Sequence, residues 1–195
     1  QASLTGHLVL STLHTNSASA AVPRLLDMGI EPYILSSTLR CVIAQRLPRR
    51  VCRYCLEAHP ITPELFEDVK QTLSSIKNFD VVDYMKKLVT ANLSKPEEEK
   101  LALKSPEKGP GGEDVVYLYR GKGCQRCGDS GYKGRVGIFE VLPVTEKIGR
   151  MMMENVPSAE VEKVAMEDGM VTIMQDGYLK ALEGITTIEE VLRVS

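Results

Sequence analysis

Four cysteines in two close pairs are the residues of this sequence best suited to chemistry. Cys52 and Cys55 form the first C-x-x-C pair, and Cys124 and Cys127 form the second. Each pair lets two sulfurs converge from one tight turn, and two pairs supply the four thiolates that tetrahedral Zn²⁺ prefers. A closed set of four thiolates leaves no position for water, so the predicted zinc site is structural. A redox dithiol, or plain buried thiols, is the alternative interpretation.

The separation of the two pairs along the chain is unusual for a zinc site. Residues 56–123 lie between them, whereas a gap of about 15–20 residues is typical. Closing the longer loop costs only about 1.2 kcal/mol more, because loop entropy grows with the logarithm of length. Structural zinc contributes on the order of 10 kcal/mol in small modules. The long gap therefore does not exclude the site.

Cationic residues crowd the same segments. Four thiolates around one Zn²⁺ leave an excess of negative charge, and nearby cations favour the thiolate form. His59 follows the first pair and is either a spare ligand or, as we expect, a surface histidine. The cations are Arg49, Arg50, Arg53, Arg120, Lys122, Arg126, Lys133 and Arg135.

A second candidate site follows an apolar run near the start of the sequence. Leu8–Leu10 predicts a short buried strand of a parallel sheet, and Thr12 and His14 lie where that strand would end. A helix is predicted to follow, with Asn16 or Ser17 as its N-cap. Ligands bind beyond the carboxyl ends of such strands, and a helix N-terminus favours an anion such as a phosphate. His14 either donates a hydrogen bond to that phosphate or is satisfied within the core.

The elements that would position these residues alternate at first between helix and strand. A helix is predicted to end at Gly29, and a second to begin at Pro32. Residues 41–47 predict a strand, in which Cys41 is expected to be a small core residue. The order strand, helix, strand indicates the end of an α/β sheet.

Residues 60–113 have the character of an insertion. One helix is predicted from Thr62 and Pro63, and another from Asp80. The segment 94–114 is rich in Pro, Gly, Glu and Lys, as a mobile linker is. An apolar face on the second helix is either a contact for a partner or, as we expect, packs on its own domain.

The remaining sequence predicts two strands and then helices alone. The strands cover 115–119 and 136–142. From Thr145 onward the apolar pattern is helical, with Gly184 closing one helix. The stretch Thr186–Glu189 predicts a capping box for the last helix.

Composition narrows the class of protein. The 195 residues are 43% hydrophobic and 26% charged, with a net charge of −2, so the chain as a whole is no polyanion binder. No apolar run approaches the roughly 18 residues of a membrane span, and no signal peptide is evident. An odd count of five cysteines, four of them in close pairs, favours a metal site in a reducing compartment over a disulfide framework. Because the chain opens at Gln1 and soon enters a strand, we expect it to be a piece of a longer protein.

Several stretches together resemble the ATPases of type II secretion and type IV pilus assembly. They are "LTGHLVLSTLHTN", "RLLDMGIEPYILSSTL", "VIAQRLPRRVCRYC", "GCQRCGDSGYKGRVGIFEVL" and "EDGMVTIMQDGYLKALEGITTIEEVLRV". They occur in the order of that family and cover nearly all the chain except 60–113.

The resemblance implies an α/β fold: the C-terminal part of a RecA-like ATPase core (1–50), a tetracysteine zinc-binding subdomain (51–135) and a return strand with a C-terminal helical subdomain (136–195). His14 falls on the second histidine of the family's histidine box, which lies near the γ-phosphate, and would be catalytic. His7 falls on the first, and His7 and Thr12 are expected near the nucleotide. Cys52, Cys55, Cys124 and Cys127 match the zinc ligands.

The resemblance also implies cofactors and partners for a longer parent protein. The parent would use ATP and Mg²⁺, form a hexamer, and couple hydrolysis to polymerisation of pilin or pseudopilin. Its partners would be an inner-membrane platform protein and an adaptor, at the cytoplasmic face of the membrane. The resemblance does not distinguish a parent that assembles pili from one that drives secretion or DNA uptake.

Three departures from the family pattern matter. Pro48 stands where an apolar strand residue is usual, so that strand is expected to end or kink early. The insertion is longer than usual. The phosphate-binding pattern G-x-x-x-x-G-K-[ST] is absent from the sequence, so we expect this piece alone not to hydrolyse ATP.

Two other classes of function remain open at this point. A zinc ribbon that reads nucleic acid is suggested by the cations near the cysteine pairs, although the overall charge is slightly negative and nucleic acid is not the partner we expect. A purely structural or adaptor module, docking through its zinc domain, is compatible with the motor interpretation.

Overall fold

Helices and two-stranded sheets make up the structure, a computed structural model that describes residues 2–195. The helices are α1 Ala21–Asp27, α2 Pro32–Thr38, α3 Pro63–Leu73, α4 Val81–Leu93, α5 Glu146–Met153, α6 Ser158–Glu167, α7 Ile173–Leu182 and α8 Ile188–Val194. The strands are β1 Cys41–Arg46, β2 Arg49–Val51, β3 Leu56–Pro60, β4 Glu107–Lys108, β5 Asp114–Val115, β6 Tyr117–Gly121, β7 Tyr132–Arg135 and β8 Ile138–Pro143. The strands pair as β1–β8, β2–β7, β3–β6 and β4–β5.

The described chain divides into two compact units. One holds the residues up to 45 together with 139–172, and the other holds 46–138 together with 173–195. The mixture of helices and sheets fits an α/β protein, while the three-part division drawn from the sequence stays a prediction. Across residues 2–195, no helix combines the length and apolar character that crossing a membrane requires.

The first unit is built mainly from helices. Helix α1 closes at Gly29, which has a positive φ of 83°, and α2 begins at Pro32, both as predicted. Helix α2 packs against α5, which Thr145 caps by accepting the Ile148 N–H at 3.4 Å. The buried side chains of this unit include Val22, Leu35, Leu142, Ile148, Met152 and Val161.

The buried strand predicted at Leu8–Leu10 is wrong. Residues 7–15 have no regular secondary structure, and the side chains of Leu8 and Leu10 are 90% and 88% exposed. A strand needs a neighbour to complete its hydrogen-bond ladder, and none of the strands within residues 2–195 pairs with this segment. The apolar run alone therefore did not determine burial.

Two further expectations in this unit are also wrong. Neither Asn16 nor Ser17 caps α1, since the helix begins at Ala21 and Ser17 Oγ accepts the Ala20 N–H in a preceding turn. Cys41 is not a core residue but is exposed at the first position of β1. Side chains alternate between the faces of a strand, and the inward position in β1 is taken by Ala44. As Pro48 predicts, β1 ends early, at Arg46.

The insertion packs within the second unit, as expected. Thr62 caps α3 by accepting the Leu65 N–H at 3.3 Å, and Asp80 caps α4 by accepting the Asp83 N–H at 2.8 Å. Helix α3 lies against α7. Side chains that the two insertion helices bury include Val69, Leu73, Val81 and Met85.

Segment 94–114 has more local structure than the linker that its composition predicts. It contains a helical turn at Glu97–Glu99 and ends in the β4–β5 hairpin. The side chain of Asn92 accepts the Leu101 N–H at 3.1 Å and donates to the Leu101 carbonyl at 2.8 Å. Further along, the Lys104 N–H donates to the Tyr119 hydroxyl at 2.9 Å. These contacts fix the segment against its own unit.

The last helix is capped by a residue other than the one predicted. Thr187 Oγ1 accepts the Glu190 N–H at 3.3 Å, while Thr186 Oγ1 donates to the Arg49 carbonyl at 2.9 Å. The capping box at Thr186–Glu189 is therefore wrong, because the Thr186 hydroxyl bonds to the start of β2 and Glu189 is exposed.

Glu190 ties α8 to β2. Its carboxylate, only 3% exposed, accepts the Arg49 backbone N–H at 2.9 Å and the Arg49 guanidinium at 2.5 Å. Arg193 adds a further ion pair at 2.7 Å. Hydrogen bonds from Arg49 and then from Arg193 hold the pKa of the Glu190 carboxyl well below its ordinary value, although burial acts in the opposite direction.

We predict that Glu190→Gln lowers the free energy of unfolding by about 2 kcal/mol at neutral pH, since hydrogen bonds to a buried charge are lost. A group whose folded pKa is depressed stabilises the fold above its unfolded pKa and loses that contribution as pH falls. The difference from the unaltered protein should therefore be full at pH 7 and shrink below about pH 4. Urea unfolding at several pH values measures it.

Glu189→Gln, at the exposed neighbouring position, is the matched control and should change the unfolding free energy little. Equal effects of the two substitutions would contradict this role for Glu190.

Candidate functional site

The four paired cysteines meet at one point in the second unit. Their sulfur atoms all lie within 4.8 Å of one another. The sulfur–sulfur distance is 3.9 Å for Cys52 and Cys124, 3.9 Å for Cys55 and Cys127, and 3.7 Å for Cys124 and Cys127. Four sulfurs bonded at about 2.3 Å to a tetrahedral zinc ion are about 3.8 Å apart. The cluster thus fits a metal ion such as zinc.

A β-ladder brings the two pairs together. Strands β3 and β6 pair antiparallel, from Leu56 opposite Gly121 to Pro60 opposite Tyr117. The first cysteine turn immediately precedes β3, and the second follows shortly after β6. The insertion leaves and returns at the far end of this ladder. Its length therefore has no effect on the separation of the sulfurs, which accounts for the unusual spacing in the sequence.

Both pairs form single 3₁₀ turns, Arg53–Cys55 and Gln125–Cys127. Gly128 ends the second turn in the left-handed region, with a φ of 59°, as the predicted turn requires. Close to the same site, a Cβ atom on Gly121 would lie 2.1 Å from the carbonyl oxygen of Gly131. That carbonyl accepts the Cys52 N–H at 2.9 Å. Only glycine at position 121 permits this approach.

Neighbouring groups shift the thiol pKa values of Cys55 and Cys127 in opposite directions. Burial raises the pKa of the Cys55 thiol to about 12. At Cys127 burial also acts upward, but N–H groups of Cys124 and Gly131 outweigh it and lower the pKa to about 7. A cation bound at the centre would favour the thiolate form of all four residues.

Three of the basic side chains around the cluster form ion pairs or cation–π contacts with other residues. The Arg126 guanidinium lies 4.0 Å from the centre of the Tyr54 ring. Lys122 forms an ion pair with Glu57 at 3.1 Å. Arg49 is bound to Glu190, as described above. Each of these three basic side chains thus has a partner outside the cysteine cluster.

His59 is a partly exposed residue of β3, in line with the expected surface histidine. It lies outside the group of candidate ligands. Its Nε2 accepts a hydrogen bond from Arg120 Nε at 2.6 Å, next to it on the β3–β6 sheet. His59, considered from the sequence as a spare ligand, therefore makes a contact across the two strands instead.

The histidine segment, residues 7–14 of the first unit, is largely exposed. His7, Thr12 and His14 all face solvent, and His7 Nδ1 lies 3.0 Å from Thr5 Oγ1. The exposure of His14 contradicts the alternative of a core histidine. The expected helix N-terminus does not follow directly, since α1 begins only at Ala21. The role of these three residues in nucleotide binding stays a prediction.

Sequence reasoning missed a buried carboxylate next to this segment. Glu140 is only 3% exposed, and its Oε1 accepts the Ala18 N–H at 2.7 Å. A signal was present in "GIFEVLP", where Ile138, Glu140 and Leu142 occupy every second position and therefore lie on the same face of a strand. The alternation places the carboxylate on the inward face, which the apolar composition of the strand concealed.

Comparisons with known proteins agree with the arrangement of motifs. A family model described as "Type II/IV secretion system protein" matches residues 1–193. The type IV pilus assembly ATPase PilB of Thermus thermophilus is 37% identical to the chain, over 98% of the chain and 17% of its own length. The type II secretion system protein E of Xanthomonas campestris is 38% identical, over 100% of the chain and 28% of its own length.

The PilB of Pseudomonas aeruginosa is 35% identical over 100% of the chain and 28% of its own length. The chain thus spans less than a third of the length of these relatives. The resemblance found in the sequence is confirmed, and the chain belongs to the type II/IV secretion system protein family.

Proposed function

We propose that this chain is a C-terminal part of a motor ATPase that drives type II secretion or type IV pilus assembly. The observation that carries this proposal is the match of residues 1–193 to the family, together with relatives named as pilus assembly ATPases. Because relatives of both names match over the whole chain, the proposal covers either machine.

The chain contributes two parts to the motor. The cysteine cluster holds a structural zinc ion that fixes the β3–β6 region, and the histidine segment supplies His14 to an ATP site. No phosphate-binding loop of the pattern G-x-x-x-x-G-K-[ST] occurs in the sequence. That loop and the Mg²⁺ ligands therefore belong to other parts of a longer protein, and this chain alone does not hydrolyse ATP.

The remaining elements of the proposal concern assembly. The motor is a hexamer with RecA-like cores at the cytoplasmic face of the inner membrane, and it acts on a platform protein and an adaptor. Hydrolysis of ATP is coupled to polymerisation of pilin or pseudopilin. The support is the resemblance of the motifs and the family membership of the chain.

A nucleic-acid-binding zinc ribbon has less support. Arg49 and Lys122 are held in ion pairs, and Arg126 stacks on Tyr54. Binding to DNA through phosphates requires cations that can exchange counterions for phosphate contacts. Salt-dependent binding of single-stranded DNA at low ionic strength would favour this function instead.

We predict that the purified chain binds about one zinc ion, because four sulfurs satisfy its coordination. Cys124→Ser should abolish stoichiometric zinc and lower the melting temperature, since one ligand of a closed site is lost. Cys41→Ser is the matched control, because Cys41 is exposed and lies outside the cluster. Elemental analysis after dialysis measures the zinc. Equal zinc content in the two variants would refute the site.

In a longer protein that includes the phosphate-binding loop, we predict that His14→Ala lowers kcat for ATP about tenfold, equivalent to ~1.4 kcal/mol in the barrier. His59→Ala is the control, because that side chain contacts Arg120 and lies in the other unit. Steady-state ATP turnover is the measurement. Unchanged kcat in the His14 variant would remove this histidine from the mechanism.

A further inference from the structure

We infer that Glu140 is a positioning residue for His14, an inference that rests on the proposed role of His14 in the ATP site. The carboxylate of Glu140 fixes the backbone of the turn that immediately follows His14. Three features of the first unit give Glu140 this role: the turn itself, its attachment to β8, and the exposed segment that precedes it.

The turn over residues 15–20 is held together by hydroxyl groups. Thr15 Oγ1 donates to the Ser17 carbonyl at 3.0 Å. Ser17 Oγ lies 3.0 Å from Ser19 Oγ and accepts the Ala20 N–H at 3.2 Å. Three short polar side chains thus define the local conformation, but they do not by themselves fix its place in the unit.

Glu140 supplies that attachment. Its Oε1 accepts the Ala18 N–H at 2.7 Å, and Ala18 and Glu140 are 0% and 3% exposed. A hydrogen bond from an N–H group to a buried carboxylate is charge-assisted and stronger than a neutral one. A second carboxylate, Glu162 of α6, accepts from Ser19 Oγ at the longer distance of 3.5 Å. Of these two carboxylates, Glu140 makes the shorter bond to the turn.

The chain before the turn has no comparable attachment through regular structure. Residues 7–15 form neither helix nor strand, and Leu8, Leu10 and His14 are exposed. Three residues lie between His14 and Ala18, and the four steps along the chain span at most about 14 Å from the histidine backbone to the anchored residue. The turn therefore limits the range of positions open to His14, and a displacement of β8 moves the turn with it.

Nuclear magnetic resonance of the chain tests the positioning directly. In Glu140→Ala we expect a shifted His14 imidazole resonance and at least tenfold faster hydrogen exchange at the Ala18 amide. Glu140→Gln should largely restore both, because its amide oxygen can still accept the Ala18 N–H. Glu154→Ala is the control, since Glu154 is exposed in the same unit. An unchanged His14 resonance in a folded Glu140→Ala protein would overturn the inference.

If Glu140→Ala fails to fold, Glu140→Asp takes its place. It keeps the charge but shortens the side chain by one methylene group, so the bond to Ala18 is lost. The same exchange and resonance changes are expected in Glu140→Asp, and their absence would overturn the inference equally.

A double-mutant cycle in the longer protein separates positioning from general stability. We expect Glu140→Ala to lower kcat about tenfold alone but to add nothing in the His14→Ala background, because both changes remove the same function. Additive losses would overturn the inference while leaving the proposed function intact. If His14→Ala alone has no effect on kcat, the proposed role of His14 fails, and the resonance measurement still decides whether Glu140 positions it.

Discussion

The β3–β6 ladder is the constraint on which the second unit depends. Two cysteine turns that are far apart in the sequence present four sulfurs within 4.8 Å of one another, and the end of this antiparallel pair brings the turns together. The pairing of Leu56 with Gly121 places the turns side by side. A metal ion bound to the sulfurs would link the two strands at the Leu56–Gly121 end of the ladder. The insertion extends from the Pro60–Tyr117 end.

Buried carboxylates perform a similar task elsewhere in the chain. Glu190 joins α8 to β2, and Glu140 joins β8 to the turn that follows the histidine segment. Each accepts a backbone N–H from a segment distant in sequence. A buried charge is costly unless it is hydrogen-bonded, so each carboxylate strongly favours the one backbone arrangement that satisfies it. Such contacts join a helix to a strand in one unit and a strand to an irregular turn in the other.

Features of this protein that depend on interactions between residues close in the sequence were predictable from the sequence. The helix starts at Thr62 and Asp80 were predicted correctly, because each of these residues bonds to an N–H only a few residues away. The C-x-x-C turns were likewise evident, since their geometry is local. The family was recognisable from the order of its motifs.

Features that depend on distant partners were not predictable in the same way. Leu8–Leu10 has the composition of a buried strand, but no strand within the described residues pairs with it. The inward face of β1 could not be read from an apolar run that includes Cys41. The Thr186 hydroxyl was expected to cap a helix but bonds to the Arg49 carbonyl, 137 residues away in the chain. At Thr186 a tertiary contact outweighed a local preference, whereas at Leu8–Leu10 the partner strand that burial requires is missing from the described residues.

The cysteine cluster is the feature that connects this chain's fold to its proposed place in a motor ATPase. X-ray absorption spectroscopy at the zinc edge of the purified chain tests it most directly. For a zinc ion held by the four cysteines we expect a single shell of four sulfur atoms at about 2.3 Å from the metal. A shell containing nitrogen or oxygen ligands, or a protein that retains no zinc, would contradict it.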